Sequence, residues 1–287
     1  MTTNVKNYAV GAVESVHYAR LDEVTEDYPA GATGTIANAS DESMLTYKGF
    51  ATYSETPANA ESVAIQGDAG NLGEMFVRAI ESATGSIGFA TANLTFQGIA
   101  EDLTIHTDGD HEKVGVDDAC TVLNPIDMII NSHATSLEAA SLNEQGWEVR
   151  EIHRTTAELG DGSLSGTDFA AQPQNYNLVM SNTTKDMDNR AILNAEYGRT
   201  KLRGKRYWSE NPVIRHTLLG DAAVVTVTLQ ETPAAEDGDK VKVYIDGVAQ
   251  DYTTDFTVVA STKVLTFVAA PAAGEVVIIT YEYLASC

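Results

Sequence analysis

The chain has 287 residues, of which 43% are hydrophobic, and its 41 Asp and Glu outnumber its 18 Lys and Arg, giving a formal net charge of −23. This length allows one large or two modest hydrophobic cores. The charge repels nucleic acid at long range and disfavours sequence-specific binding to DNA or RNA, which needs clustered cations.

Three features bear on the compartment. No apolar run of about 18 residues occurs, so we expect neither a membrane-spanning helix nor a membrane partner. The first residues, MTTNVKNY, lack the basic start and apolar block of a secretory signal. The two cysteines, Cys120 and Cys287, do not make a disulfide framework. We therefore expect a protein that is made and assembled in a cytoplasm.

The first part of the chain alternates extended segments with one long loop. Residues 8–19 predict one or two strands. Residues 25–43 are rich in Gly, Ala, Thr, Asn, Ser and Asp without a lasting period, which predicts a long surface loop. Further strands are predicted at 45–53, 62–66, 74–80 and 86–96.

The middle of the chain predicts a strand, an acidic turn and a longer strand. Residues 102–107 alternate with period 2, and Asp108-Gly109-Asp110 is a turn signal. A second extended run covers 120–130. The residues that share one face of this strand would be Val122, Ile126, Met128 and Ile130.

The segment after this strand predicts a helix. Thr135 and Glu138 have the spacing of a capping box, the residues between them and Gly146 favour helix, and Gly146 is a suitable stop. We therefore predict one short helix over about residues 135–145, flanking an otherwise β-rich unit.

This order of elements resembles the major tail tube proteins of long-tailed bacteriophages. The matching elements are a strand with the sequence TIHT, an acidic turn, a long strand and the segment SLEAASL, within about residues 10–180. The resemblance implies a β-sandwich or barrel with one flanking helix, and subunits joined into stacked rings. These would be hexameric, with inner strands forming a continuous barrel around a DNA channel. The loop at 25–43 would then be an arm that reaches a neighbouring subunit.

Residues 185–216 gather much of the positive charge of the chain. Together with Tyr197, Tyr207 and Trp208 they have a composition found in nucleic-acid-binding proteins, but the acidity of the rest argues against that function. We interpret the segment as docking on an acidic face of an identical neighbour, with charge complementarity setting the register. The alternative is a solvated edge strand protected by its charges. The candidate inter-subunit residues are Arg190, Arg199, Lys201, Arg203, Lys205, Arg206 and Arg215.

The last part of the chain predicts a small β-sandwich. From about Leu218 onward, short β-branched strands recur at regular spacing, and Asp246-Gly247 is a hairpin signal. The segments VYIDGVAQDYTTDFTV and APAAGEVVIITYEYL are similar to the immunoglobulin-like modules of phage tail and baseplate proteins, over about residues 222–284. We expect a tail-tube-type domain at 1–218 and an immunoglobulin-like module at 219–287.

No pattern predicts catalysis, a cofactor or a metal. The six histidines form no HExxH motif, and no C-x-x-C occurs, so a zinc site is not expected. The turn at 106–112 mixes imidazoles and carboxylates but lacks the EF-hand pattern, and we interpret it as a polar turn. The segment GSLSG at 162–166 has Leu164 where a nucleophile elbow needs serine. We expect a protein that is not an enzyme.

The sequence thus predicts a structural virion protein, assembled in the host cytoplasm, that polymerises into a tail tube. Its partners would be itself, other tail proteins, DNA that passes through the lumen without specific binding, and weakly a host surface. The acidic composition fits two interpretations, a solvated surface or a wall past which DNA slides without sticking. The alternative functions are a capsid decoration protein and a tail-fibre or host-surface-binding protein, and a third class is an enzyme such as a depolymerase.

Overall fold

The chain is mostly β-structure, as the sequence predicts. The computed structural model describes residues 8–21, 34–35, 44–56, 60–67, 70–78, 83–91, 93–103, 105–108, 111–114, 123–138, 143–160, 174–180 and 204–285. The strands before residue 210 are β1 (Tyr8–Arg20), β2 (Gly34–Thr35), β3 (Leu45–Thr56), β4 (Ala60–Gly67), β5 (Gly70–Arg78), β6 (Ala83–Phe89), β7 (Ile105–Asp108), β8 (His111–Val114), β9 (Ile126–Ser136), β10 (Gln145–Leu159), β11 (Gln174–Met180) and β12 (Gly204–Ser209). One helix, α1 (Leu94–Ala100), lies between β6 and β7.

Seven strands follow in the last part of the chain. They are β13 (Val213–Leu219), β14 (Thr226–Thr228), β15 (Val241–Ile245), β16 (Val248–Gln250), β17 (Phe256–Val259), β18 (Val264–Phe267) and β19 (Val276–Glu282). A short 3-10 turn (Ala260–Thr262) separates β17 from β18.

Six antiparallel strands close into a barrel in the order β1-β3-β6-β11-β10-β9. Strand β10 makes this closure by changing partner along its length: Trp147–Ile152 pair with β12, and Thr155–Leu159 pair with β11. A register shift between Ile152 and Thr155, and a φ of 52° at Arg154, mark a β-bulge at the change. On the β12 side of the bulge, β12 takes the place of β11 beside β10, and the strands pair in the order β3-β1-β9-β10-β12. We call the last four of these strands the four-stranded sheet.

The barrel interior is filled from the alternating residues of its strands and from α1. On β9, Ile126, Met128 and Ile130 are buried in this core, as their period-2 spacing predicts, while Val122 lies outside the described residues. Helix α1 plugs one end of the barrel with Phe96. The ring of Phe96 lies 4.8 to 4.9 Å, centroid to centroid, from the rings of Tyr18, Phe89 and Tyr176. The Asn93 side chain caps α1 by accepting the Phe96 N–H at 3.1 Å.

The predicted helix over 135–145 is wrong at both ends. Residues 135 and 136 belong to β9 and residue 145 to β10, while residues 139–142 lie outside the described residues. The Ser136 N–H donates to the Glu144 carbonyl at 2.9 Å, so the two strands form a hairpin, and pairing in the barrel overrides local helix propensity. The helix instead occupies Leu94–Ala100, and its first three residues overlap the end of the strand predicted over 86–96.

The strands from β13 onward, together with β2, form a second unit of two facing sheets. A five-stranded sheet has the order β16-β15-β19-β13-β2, and a three-stranded sheet has the order β14-β18-β17. Side chains of both sheets fill a common core around Phe256, Leu265 and Ile279. The predicted Asp246-Gly247 hairpin is confirmed between β15 and β16, and both residues have positive φ, at 47° and 78°. We call this unit the sandwich; its kinship with immunoglobulin-like modules stays a prediction.

The predicted domain border at residue 218 falls inside β13, which pairs along its length with β19 of the sandwich. The sandwich therefore begins by Val213. Of the predicted loop at 25–43, the structure describes Gly34 and Thr35, which pair in parallel with Leu218 and Leu219 of the same chain. The rest of that loop, with its predicted role as an arm, lies outside the described residues.

Candidate assembly surfaces

The structure describes some of the predicted inter-subunit cations and not others. Arg190, Arg199, Lys201 and Arg203 lie outside the described residues, and Lys205 is described only as part of strand β12. Arg206 and Arg215 are the two whose side chains are described. Both make ion pairs with glutamates of the same chain.

Arg206 belongs to a cluster around Glu148 that is formed by side chains of β10 and β12. The buried Glu148 carboxylate accepts from Arg150 Nε at 2.5 Å and from Arg206 Nε at 2.6 Å. Partial burial disfavours the charged guanidinium, but the hydrogen bond and charge of Glu148 outweigh it and raise the pKa of Arg206. The Arg206 side chain keeps 56% exposure, so its predicted contact with a neighbour stays a prediction.

The same cluster ties β3 and β10 together through Arg150. The guanidinium of Arg150 lies 5.1 Å from the ring centroid of Tyr53 and 3.8 Å from the carboxylate of Glu55. A guanidinium above an aromatic ring is held by a cation–π attraction. The charged groups of the cluster pair with one another, so we interpret the cluster as a structural contact between β3 and β10 and not as a binding site.

Arg215 corrects the predicted set, because it is fully buried within its own chain. Its Nη2 lies 3.3 Å from Glu151 Oε2, and its Nε donates to Thr280 Oγ1 at 3.0 Å. The other oxygen of Glu151 accepts from the Tyr207 hydroxyl at 2.7 Å. This network joins the barrel to the sandwich, and a buried cation of this kind is not available to a neighbouring subunit.

A continuous seam joins the barrel to the sandwich. The Asn131 side-chain amide donates to the Val213 carbonyl and accepts the Val213 N–H, each at 3.0 Å. An apolar group packs beside these bonds, made of Met44, Ile129, Trp147, Val149 and Val213. At the rim, Lys48 Nζ donates to Glu231 at 2.7 Å. The two units are therefore joined by buried polar and apolar contacts.

His17 is fully buried at this seam. Its Nδ1 is 2.8 Å from Thr46 Oγ1, and its ring meets that of Tyr283 edge to face with centroids 6.0 Å apart. Burial, reinforced by the charges of Lys48 and His216, lowers the pKa of His17 to about 3. The imidazole is neutral at physiological pH.

The four-stranded sheet has two open edges among the described strands. Residues 8–10 of β1 pair with β9 on one side only, since the pairing of β1 with β3 begins at Val13. At the opposite edge, β12 pairs with β10 alone among the described strands. Ala9 and Val10 at the first edge are exposed. An open edge presents backbone donors and acceptors to an incoming strand.

A second surface of the barrel carries short, uncharged side chains across β3, β6 and β11. Two cross-strand rows define it: Thr52, Gly88 and Asn175 form one, and Ser54, Ser86 and Asn177 form the other. Thr84 and Val179 continue the pattern in a third row. We call these eight residues the neutral face.

The described residues contain no group of His, Cys, Asp and Glu that could hold a metal ion. The predicted polar turn at 106–112 falls on the hairpin of β7 and β8, with residues 109 and 110 outside the described residues. No described helix is long and apolar enough to cross a membrane.

The polar groups of the seam were not predicted from the sequence. Glu148 and Glu151 are charged residues in an alternating strand segment, and charged residues are usually exposed to solvent. Glu148 has one near cation, Arg150, and a second, Arg206, that lies 58 residues away along the chain. The partner of Glu151, Arg215, lies 64 residues away, so no local signal marks these two long-range pairs. Comparison of the chain with protein-family models, with curated proteins and with solved structures found no match.

Proposed function

We propose that this chain is the ring-forming subunit of a phage-type tail tube, a passive conduit for DNA. The observation that carries the proposal is the four-stranded sheet with open edges at residues 8–10 of β1 and at β12. The two edges are different surfaces, so strand pairing between copies is head-to-tail. Such contacts build a ring when the rotation between subunits closes.

Two further observations support this proposal: the net charge of the chain and the architecture of the barrel. A net charge of −23 keeps the protein from binding phosphate backbones, which suits a wall past which DNA moves. The barrel with a helix at one end also agrees with the architecture that the resemblance to tail tube proteins implies, although the helix lies at Leu94–Ala100.

The first test is negative-stain electron microscopy of the purified protein over a range of concentrations. Rings or tubes with a central hole are expected. Discrete particles without a hole at all concentrations would contradict the proposal and favour the decoration or fibre function.

A cross-linking experiment tests the edges themselves. In a background with Cys120→Ala and Cys287→Ser, the double variant Ala9→Cys/Lys205→Cys is treated with a short bifunctional maleimide. Head-to-tail pairing places one cysteine of each subunit beside the other cysteine of its neighbour, so a ladder of covalent oligomers is expected. Each single variant, as matched control, can yield dimers at most. Rings that form without a ladder would show that other surfaces join the subunits.

A further inference from the structure

Within the part of the chain that the structure describes, the contacts of the sandwich lie on one side of the barrel. These contacts centre on β9, through Asn131, and extend to β10 through Glu151 and to β1 through Ser15. Beyond β1 they reach Lys48, near the start of β3. In the cyclic order β9-β1-β3-β6-β11-β10, strand β6 is three steps from β9 in either direction. The neutral face, centred on β6, therefore lies on the far side of the barrel from the sandwich.

The side chains of the neutral face are short, and two of them are joined by a hydrogen bond. Ser54 and Ser86 are 2.8 Å apart between their hydroxyl oxygens. A Cβ on Gly88 would collide with Asn175 Oδ1 and Thr52 Oγ1, so the glycine lets these two side chains close over the backbone. The eight residues of the neutral face thus carry no long side chain.

The charge of this face determines how strongly it can bind DNA. The neighbouring strand β10 extends the rows with Glu158 opposite Asn177 and Thr156 opposite Val179. Across the four strands, the described outward residues of these rows include one acid and no lysine or arginine. Affinity for duplex DNA comes chiefly from cations that neutralise phosphates, and neither a carboxylate nor a hydroxyl supplies this.

We propose that the neutral face lines the DNA channel of the ring, with the sandwich on the outside. The inference rests on the proposed function and specifies which side of each subunit faces the axis of the ring. DNA moving past Thr52, Ser86 and Asn177 meets hydroxyl and amide groups that exchange hydrogen bonds with water and do not hold the phosphates. In this arrangement the wall has three layers: the neutral face inside, the barrel core, and the sandwich outside.

Cysteine accessibility in assembled tubes tests the assignment. The variant Asn177→Cys reports on the neutral face, and Val248→Cys, at a position on the sandwich with 64% exposure, is the matched control. Both are made with Cys120→Ala and Cys287→Ser and are treated with N-ethylmaleimide or with a maleimide carried on a 20-kDa polyethylene glycol polymer (about the size of a small protein). The small reagent enters a water-filled channel, whereas the polymer is excluded from its interior.

Each outcome either supports the assignment of the neutral face to the channel or overturns it. The assignment expects position 177 in tubes to react with the small reagent at a rate near that of dissociated subunits, and with the polymer at least tenfold more slowly than position 248. Equal reaction of both positions with the polymer would place the neutral face outside and overturn the assignment. Protection of position 177 from both reagents would make it a subunit contact and also overturn it.

The proposed function can fail separately. Absence of tubes from the unmodified protein at all concentrations overturns the proposed function and this assignment together. Where the unmodified protein forms tubes but the cysteine background does not, a cryo-electron-microscopy map of the unmodified tube gives the answer. The assignment expects Asn177 to face the axis in that map, and an outward-facing Asn177 overturns it.

Discussion

The side-chain amide of Asn131 takes the place of a neighbouring strand for Val213, since it pairs with both the N–H and the carbonyl of that residue. Asn131 lies on β9 of the barrel and Val213 begins β13 of the sandwich, so one amide bridges the two units. Both residues are buried, and water cannot replace these bonds.

Asn131→Ala is expected to lower the free energy of unfolding by about 2–4 kcal/mol, because two buried backbone groups lose their partners. Urea unfolding followed by tryptophan fluorescence measures the change. Asn177→Ala, at an exposed position of the neutral face, is the matched control and should stay within about 0.5 kcal/mol of the wild type. Equal effects of the two variants would mean that the seam contributes little.

The ion pair of Arg215 and Glu151 should show strong coupling. Arg215→Met alone leaves a buried carboxylate without its cation and is expected to destabilise the fold by about 3–5 kcal/mol. Glu151→Leu alone leaves the buried guanidinium of Arg215 without its carboxylate and should destabilise the fold by a similar amount. The double variant should be less destabilised than the sum of the two, and a double-mutant cycle in urea measures the difference. Additive effects would contradict a direct interaction.

His17 makes stability depend on pH. Its pKa is about 3 in the folded chain and near 6.5 when unfolded, so between these values the unfolded chain binds more protons. The contribution of the neutral imidazole is complete above about pH 6.5 and falls by about 1.4 kcal/mol for each unit as the pH drops toward 3. Unfolding measured from pH 7.5 to pH 5 should show this slope in the wild type and a smaller slope in His17→Gln. Equal slopes in the two proteins would show that His17 is not the group responsible for this pH dependence.

Phe96 anchors the helix that plugs the barrel. Phe96→Ala is expected to lower the free energy of unfolding by about 3–5 kcal/mol, because it leaves a cavity among three aromatic rings. Phe50→Ala is a matched control on β3 with 78% exposure, and its effect on the dilute protein should be below about 0.5 kcal/mol. Similar values for the two would place Phe96 outside the core.

Local patterns predicted those parts of the fold that depend on neighbours in the chain. The alternating residues Ile126, Met128 and Ile130 and the Asp246-Gly247 turn carry their own signal, and both appear in the structure as predicted. The helix prediction was wrong because Thr135 and Ser136 gain more from pairing across β9 and β10 than from helix propensity. Asn93 is a favourable N-cap for α1, but Gly98 and Thr95 weaken the helical signal of that segment.

The assembly surfaces were harder to predict, because their properties arise from contacts between distant strands. The cluster of arginines in the sequence predicts an exposed cationic segment, yet Arg215 is buried against Glu151. Likewise, Ser, Thr and Asn in three separate strands carry no signal until β3, β6 and β11 align them in rows. Only the registers of a completed barrel reveal such a surface.

The change of partner along β10 also bears on how the chain folds. This strand cannot complete its pairing until β11 and then β12 exist, and the seam needs Val213, which lies 82 residues after Asn131. Contacts of such long range slow folding, since each must first close a large loop. During synthesis, β1 and β9 leave the ribosome well before the strands that complete their sheet. The nascent barrel therefore exposes unpaired edges for seconds, and its yield in the cell should depend on protection from aggregation during that interval.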